Sequence, residues 1–195
     1  MVKYGFLFRL KLSFYSRIKG FLKKIELEEL YARNKNLSIS TSFFKVSDAT
    51  FHISGPNSIV EFDQNIIARN GCNFLVGSEG ILKISKNVFF NRNCSINCLS
   101  QIEVGENCLF GENVKVYDHN HKYNHNGKVL NLEREAFTVG NILIGKNCWI
   151  GSNVTILKGV QIGDNVIIGA NCLIYKSIPD NTIVKLNQSL IIETL

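Results

Sequence analysis

The sequence predicts an all-β chain wound as a parallel β-helix, and three observations predict it. An aliphatic residue recurs every six positions without a slip, at Ile144, Ile150, Ile156, Ile162, Ile168 and Ile174. A small apolar residue follows four positions later, as at Cys148, Val154, Val160, Val166 and Cys172. Gly and Asn crowd the slots between, and these residues accept tight turns and left-handed backbone. A period of six fits neither a 3.6-residue helix nor a long amphipathic strand. It fits short strands joined by tight turns, three to a coil, each coil burying its apolar side only against its neighbours.

The same phase appears earlier at Val104, Phe110 and Val116, and earlier still at Ile84, Phe90 and Ile96. Fainter turns run from about Phe43 through Phe62, Ala68 and Phe74. The chain therefore divides into an N-terminal extension over 1–40, a β-helix over 41–186 and a tail over 187–195.

Five of the 6 cysteines follow the pattern: Cys72, Cys94, Cys108, Cys148 and Cys172 each sit four residues after an inward position. They read as small buried hydrophobes. Cys98 leaves the pattern, but no second pair matches the Cys94–Cys98 spacing, so no zinc site is expected. Free thiols point to a reducing compartment, the cytoplasm.

The net charge of +6 is not spread evenly. Residues 1–24 carry seven basic and no acidic residues, which leaves 15 basic against 16 acidic in the remainder. A body so nearly neutral is not a nucleic-acid binder with a broad basic face. No apolar run reaches the ~20 residues needed to span a bilayer, and the charged start lacks the features of a secretory signal. Within the extension, Leu7, Leu10, Phe14, Ile18, Phe21 and Ile25 line one face of a helix, with the cations mostly off it. Packing of that stripe on the β-helix or on other subunits is preferred. Peripheral contact of residues 1–25 with the inner face of the membrane is the alternative.

The hexads stop between Val116 and Ile144. The interruption, an extruded loop over 117–142, holds His119, His121 and His125 together with Asp118, Glu133, Arg134 and Glu135. A rigid stack that extrudes one long polar loop uses it for something. His52 lies in a weak early coil and reads as structural.

These phased hexads and this loop resemble the hexapeptide-repeat acyltransferases, whose β-helix is left-handed and triangular. The resemblance covers about residues 43–186. The stretch Asp118-His119-Asn120-His121 matches the Asp-His-x-His form of the sugar, xenobiotic and polysaccharide O-acetyltransferase branch. The resemblance implies direct acyl transfer from acetyl-CoA to a sugar or glycan hydroxyl, with a loop His as general base. An ungapped count from Gly105 puts His121 at that position and leaves His119 second. His121 also fills the sixth slot of the hexad begun at Val116, the slot Trp149 fills in its own. An imidazole, with an ordinary pKa of about 6.5, can take the proton of an attacking alcohol.

By the same resemblance, Asn91 meets the reacting groups, and the alternative for it is a plain turn residue. The backbone N–H of Ser152 is a further donor. Trp149, Gly169, Ala170 and Lys176 contact the cofactor, and Asp118 orients a His or binds the sugar. After Pro179 the family's Ala-Gly-x-Pro-Ala element is missing, and Lys185 stands in as a phosphate contact. The family's site lies between subunits of a homotrimer. N-acetylation of an amino or nucleotide sugar, and a non-catalytic scaffold, are the competing readings. A γ-type carbonic anhydrase would need a His upstream of the loop, and residues 53–118 contain none.

Overall fold

The structure, a computed structural model, describes Glu29 and residues 37–39, 45–46, 49–125 and 127–187. The amphipathic stripe and its packing or membrane roles lie outside the described residues. At the end of the 1–40 stretch, Leu37–Ile39 is already a strand of the stack, paired in parallel with Val60–Phe62.

Three parallel sheets of six, seven and six strands form the faces of a β-solenoid. Face A stacks β1 (Leu37–Ile39), β4 (Ile59–Phe62), β7 (Ile81–Ile84), β10 (Gln101–Val104), β15 (Ile142–Ile144) and β18 (Gln161–Ile162). Face B stacks β2 (Lys45–Val46), β5 (Ile67–Ala68), β8 (Phe89–Phe90), β11 (Leu109–Phe110), β16 (Trp149–Ile150), β19 (Ile167–Ile168) and β21 (Ile183–Val184). Face C stacks β3 (Thr50–Ile53), β6 (Asn73–Val76), β9 (Ser95–Cys98), β12 (Lys115–Tyr117), β17 (Thr155–Ile156) and β20 (Leu173–Ile174). The chain turns the A–B, B–C and C–A corners in that order.

The six-residue aliphatic positions point inward and are buried from Ile84 to Ile174. Burying such a side chain contributes about 1.5–3 kcal/mol. An isolated coil gains little of it, because the contacts run between coils. At the N-terminal end the column is aromatic: Phe51 stacks on Phe74 at 5.2 Å, Phe74 meets Phe90 edge-on at 5.4 Å, and Phe90 stacks on Phe110 at 4.6 Å. On face B, Phe90 and Phe110 continue in register as Ile150 and Ile168.

Asparagine holds the corners. Asn65, Asn87, Asn107, Asn147, Asn165 and Asn181 all have φ between 57° and 61° at the A–B corner. Each side-chain amide but the last donates to the next one up the stack at 2.8–3.1 Å. Asn113, Asn153 and Asn171 do the same at the B–C corner. Asn tolerates the left-handed conformation, and its amide satisfies its neighbour's.

The cysteines do more than fill space. The thiols of Cys72, Cys94, Cys108 and Cys148 donate to the carbonyls of Asn91, Gly111, Gly145 and Gly163 of the next coil at 3.0–3.2 Å. Cys98 donates to Ile81 O at 3.2 Å. All six are free and buried. Burial and the nearby Asp118 carboxylate push the Cys98 thiol well above its ordinary range.

Candidate active site

The interruption is an antiparallel hairpin of β13 (His119–His125) and β14 (Leu130–Val139). It leaves the stack at the end of β12 on face C and returns at β15 on face A, so it projects from the C–A corner. Asp118 is the hinge. Its carbonyl accepts from Gly140 N at 2.8 Å, which joins the two feet of the hairpin.

Its carboxylate is fully buried. It accepts backbone N–H bonds from Leu99 at 2.9 Å and Ser100 at 2.7 Å, the corner residues of the preceding coil. A buried carboxylate without such donors would be prohibitive. The Nδ1 of His119 lies 2.9 Å from the same carboxylate. This pairing presents the other ring nitrogen, Nε2, outward from the carboxylate. The His119 side chain is 16% exposed and packs edge-on against Phe137 at 5.3 Å and Tyr117 at 6.3 Å.

His121 is placed differently. It is exposed on the hairpin, tilted over Phe137 at 4.6 Å, just before a bulge between His121 and Lys122. It borders a depression of about 630 Å³ with Lys122, Glu133, Thr138 and Lys158. The hexad count that favoured it assumes that the coil continues through residue 121, and the coil ends at Tyr117. His125 is exposed further out. Phe137, which touches both imidazoles, escaped the sequence reading because strand pairing across the loop leaves no local periodicity.

The other expected residues stand elsewhere in the chain. Asn91 follows β8 at the B–C corner. Its Oδ1 accepts from the Arg69 guanidinium at 3.3 Å and from Arg92 N at 3.0 Å, which presents Nδ2 as a donor. The left-handed turn residue of that hexad is Asn93, not Asn91. Trp149 points outward from face B, 55% exposed. Ser152, Gly169 and Ala170 continue up the B–C corner. A Cβ on Gly111 would lie 2.6 Å from Ser152 N, and one on Gly151 would lie 2.6 Å from Ala170 N, so only Gly allows this approach. Lys185, exposed, passes beside Gly169. Lys176 lies beyond β20, on the hairpin's corner, its Nζ 5.6 Å from the Tyr175 ring.

The candidate residues thus fall into two groups separated by face C, whose strands of up to four residues are about 13 Å wide. Asp118, His119, His121 and Lys176 share the C–A corner. Asn91, Trp149, Ser152, Gly169, Ala170 and Lys185 share face B and the B–C corner. A larger groove of about 1120 Å³ runs along the third, A–B, corner and contains none of them.

Residues 141–176 match the model of the bacterial transferase hexapeptide (six repeats). A protein of Escherichia coli (strain K12) named as a lipopolysaccharide biosynthesis O-acetyl transferase is 30% identical over 130 residues, 64% of this chain and 66% of that protein. The chain belongs to the hexapeptide-repeat transferases. Among other members of this family, the galactoside O-acetyltransferase of E. coli (strain K12) is 37% identical over 102 residues, 52% of this chain and 48% of its own. A Bacillus subtilis (strain 168) protein named as an acetyltransferase is 34% identical over 94 residues, 48% of each chain. The chain spans about two thirds of the first relative's length and about half of the other two. A solved galactoside acetyltransferase in complex with coenzyme A is 29% identical, with a TM-score of 0.47 over 68% of this chain and 60% of that one. No helix among the described residues is long and apolar enough to cross a membrane.

Proposed function

We propose that the protein is an acetyl-CoA-dependent O-acetyltransferase acting on a sugar or surface-polysaccharide hydroxyl, with His119 as the general base. The observation that carries this is the His119–Asp118 pair. A buried carboxylate with backbone donors holds one ring nitrogen at 2.9 Å. The ring is then fixed in orientation, and its Nε2 faces a hydroxyl as acceptor. Such positioning of a base contributes typically 10²–10⁴-fold. His121 has no comparable anchor, so the order in which the sequence ranks the two is reversed here. Asp118 acts as a positioning residue rather than as a sugar ligand, because its oxygens are buried and occupied.

The B–C corner fits the cofactor. Trp149 offers an exposed apolar surface there, and Lys185, beside Gly169, supplies a cation. Bound there, acetyl-CoA supplies an activated acetyl thioester. Ser152 N–H and Asn91 Nδ2 serve as preorganised donors where negative charge develops. His119 Nε2 takes the proton from the acceptor hydroxyl and passes it to the departing group. The names of the relatives as O-acetyl transferases support the reaction class.

The two groups of residues become halves of one site if a second copy apposes its C–A corner to this chain's face B, as in a cyclic trimer. Face B favours this. Phe89, Leu109, Trp149, Ile167 and Ile183 form one outward column in register, and the last four are 36–60% exposed. Leaving such a column in water costs free energy that burial against a partner recovers. The free buried thiols support a cytoplasmic location.

The test is CoA release from acetyl-CoA by purified protein, with and without a panel of sugars, amino sugars and oligosaccharides. Sugar-dependent release that yields an acetyl ester is the expected result. No binding of acetyl-CoA at millimolar concentration would end the reading.

A further inference from the structure

Three cations stand on successive coils beside Asn91. Arg69 follows β5, Arg92 follows β8 and Lys115 opens β12. Coils stack at about 4.8 Å, so the three line roughly 10 Å of the B–C corner. Arg69 is held in place, its guanidinium 5.2 Å from the Phe89 ring centroid and bonded to Asn91 at 3.3 Å. Lys115 Nζ donates to Asn93 O at 3.2 Å. Arg69 and Arg92 are exposed and Lys115 is half-buried.

Among the described residues none of the three has an ion-pair partner. Three cations of face A and the A–B corner do: Lys83 pairs with Glu61 at 3.3 Å, Lys86 with Glu106 at 3.0 Å and Lys146 with Asp164 at 3.7 Å. The A–B groove has the opposite net charge, with Glu61, Asp63, Glu103, Asp164 and Asp180 along it against Lys83. The near-neutral body therefore conceals a separation of charge, net negative at the A–B corner and net positive beside Asn91, where Glu112, in register with Arg92 on the next coil, stands against three cations. A planar guanidinium already restrained by stacking and hydrogen bonding, as at Arg69, loses little freedom on meeting an anion.

We propose that the acceptor carries an anionic group, a phosphate, a pyrophosphate or a sugar carboxylate, which seats on Arg69, Arg92 and Lys115 and sets its hydroxyl beside Asn91. This rests on the acetyl transfer proposed above and adds the chemical class of its acceptor. The cations lie on coils N-terminal to Trp149, Ser152 and Ala170, so the same corner holds acceptor and cofactor in sequence along its length.

The test uses matched acceptors: UDP-glucose against glucose, and glucuronic acid against its methyl ester. At low salt, kcat/KM for one charged member exceeds that of its neutral partner tenfold or more. Arg92→Gln and Lys115→Gln bring that ratio toward one, as does 0.5 M NaCl. The two pairs separate a phosphate from a carboxylate acceptor. Equal use of charged and neutral members overturns the proposal. So do variants that slow both members alike, or that raise only the KM for acetyl-CoA. Calorimetry of UDP with the acetyl-CoA-free protein separates this idea from the reaction itself. Binding that weakens tenfold or more in both variants sustains the anion site even where no acceptor turns over, and absence of UDP and glucuronate binding refutes it.

Discussion

The Nδ1 of His119 sits 2.9 Å from Oδ1 of Asp118, and that carboxylate is anchored by backbone N–H groups of the coil beneath it. The hairpin's base is therefore coupled to the rigid stack. The imidazole next to it inherits that rigidity, while His121, two residues further out, does not.

This geometry separates the two histidines. His119→Ala should lower kcat by about 10²–10⁴, whereas His121→Ala should change it less than tenfold. Steady-state kinetics with the best acceptor decide between them, and loss of turnover only in His121→Ala would reinstate the order read from the sequence.

Asp118→Asn should act on both folding and rate. An amide has one acceptor oxygen in place of two, and its NH2 would face the N–H groups of Leu99 and Ser100. We expect a loss of about 1–3 kcal/mol in urea unfolding. We also expect a fall in kcat with the KM for acetyl-CoA unchanged. Full activity in a folded Asp118→Asn protein would show that the pair is only architectural.

The asparagine ladder gives a prediction for stability alone. Asn107 has φ of 61° and exchanges amide bonds with Asn87 and Asn147. Asn107→Gly loses the bonds but keeps an easy left-handed turn. Asn107→Ala loses the bonds and adds strain of about 1 kcal/mol. Thermal melts should rank native above Gly above Ala, and Ala matching Gly would argue that the turn is not strained.

Leu109→Glu tests the assembly. Leu109 is 50% exposed between Phe89 and Trp149 on face B, so a carboxylate there desolvates on association and should dissociate the protein. Light scattering should give about three times 22.0 kDa for the native chain and one copy for the variant, with activity lost in parallel. A native monomer with turnover would refute the shared site.

Much of the molecule was legible in the residues. Every inward position read from the hexads between Ile84 and Ile174 is buried, because a six-residue period repeats the same local geometry in each coil. The cysteine spacing implies small buried side chains, and all six are buried. Their thiol bonds to the next coil's carbonyls were invisible, since the partners are 15–37 residues away. Asn91 and Asn93 look alike in sequence, yet only Asn93 takes the left-handed turn, and Asn91 is free to face Arg69. The hairpin looks like a loop in the sequence because its pairing, His119 to Val139 and His121 to Phe137, leaves no period.

By itself the sequence determined the coil, its inward residues and the point where the repeat breaks, all of which follow from spacing along the chain. Only the tertiary structure decided which polar groups meet. Asp118 finds Leu99 and Ser100 because stacking brings one coil's corner over the last. His119 and Asn91 fall on different corners because each hexad advances the chain by one face. A separation of that kind depends on where three faces close in space, and spacing along the chain does not encode it.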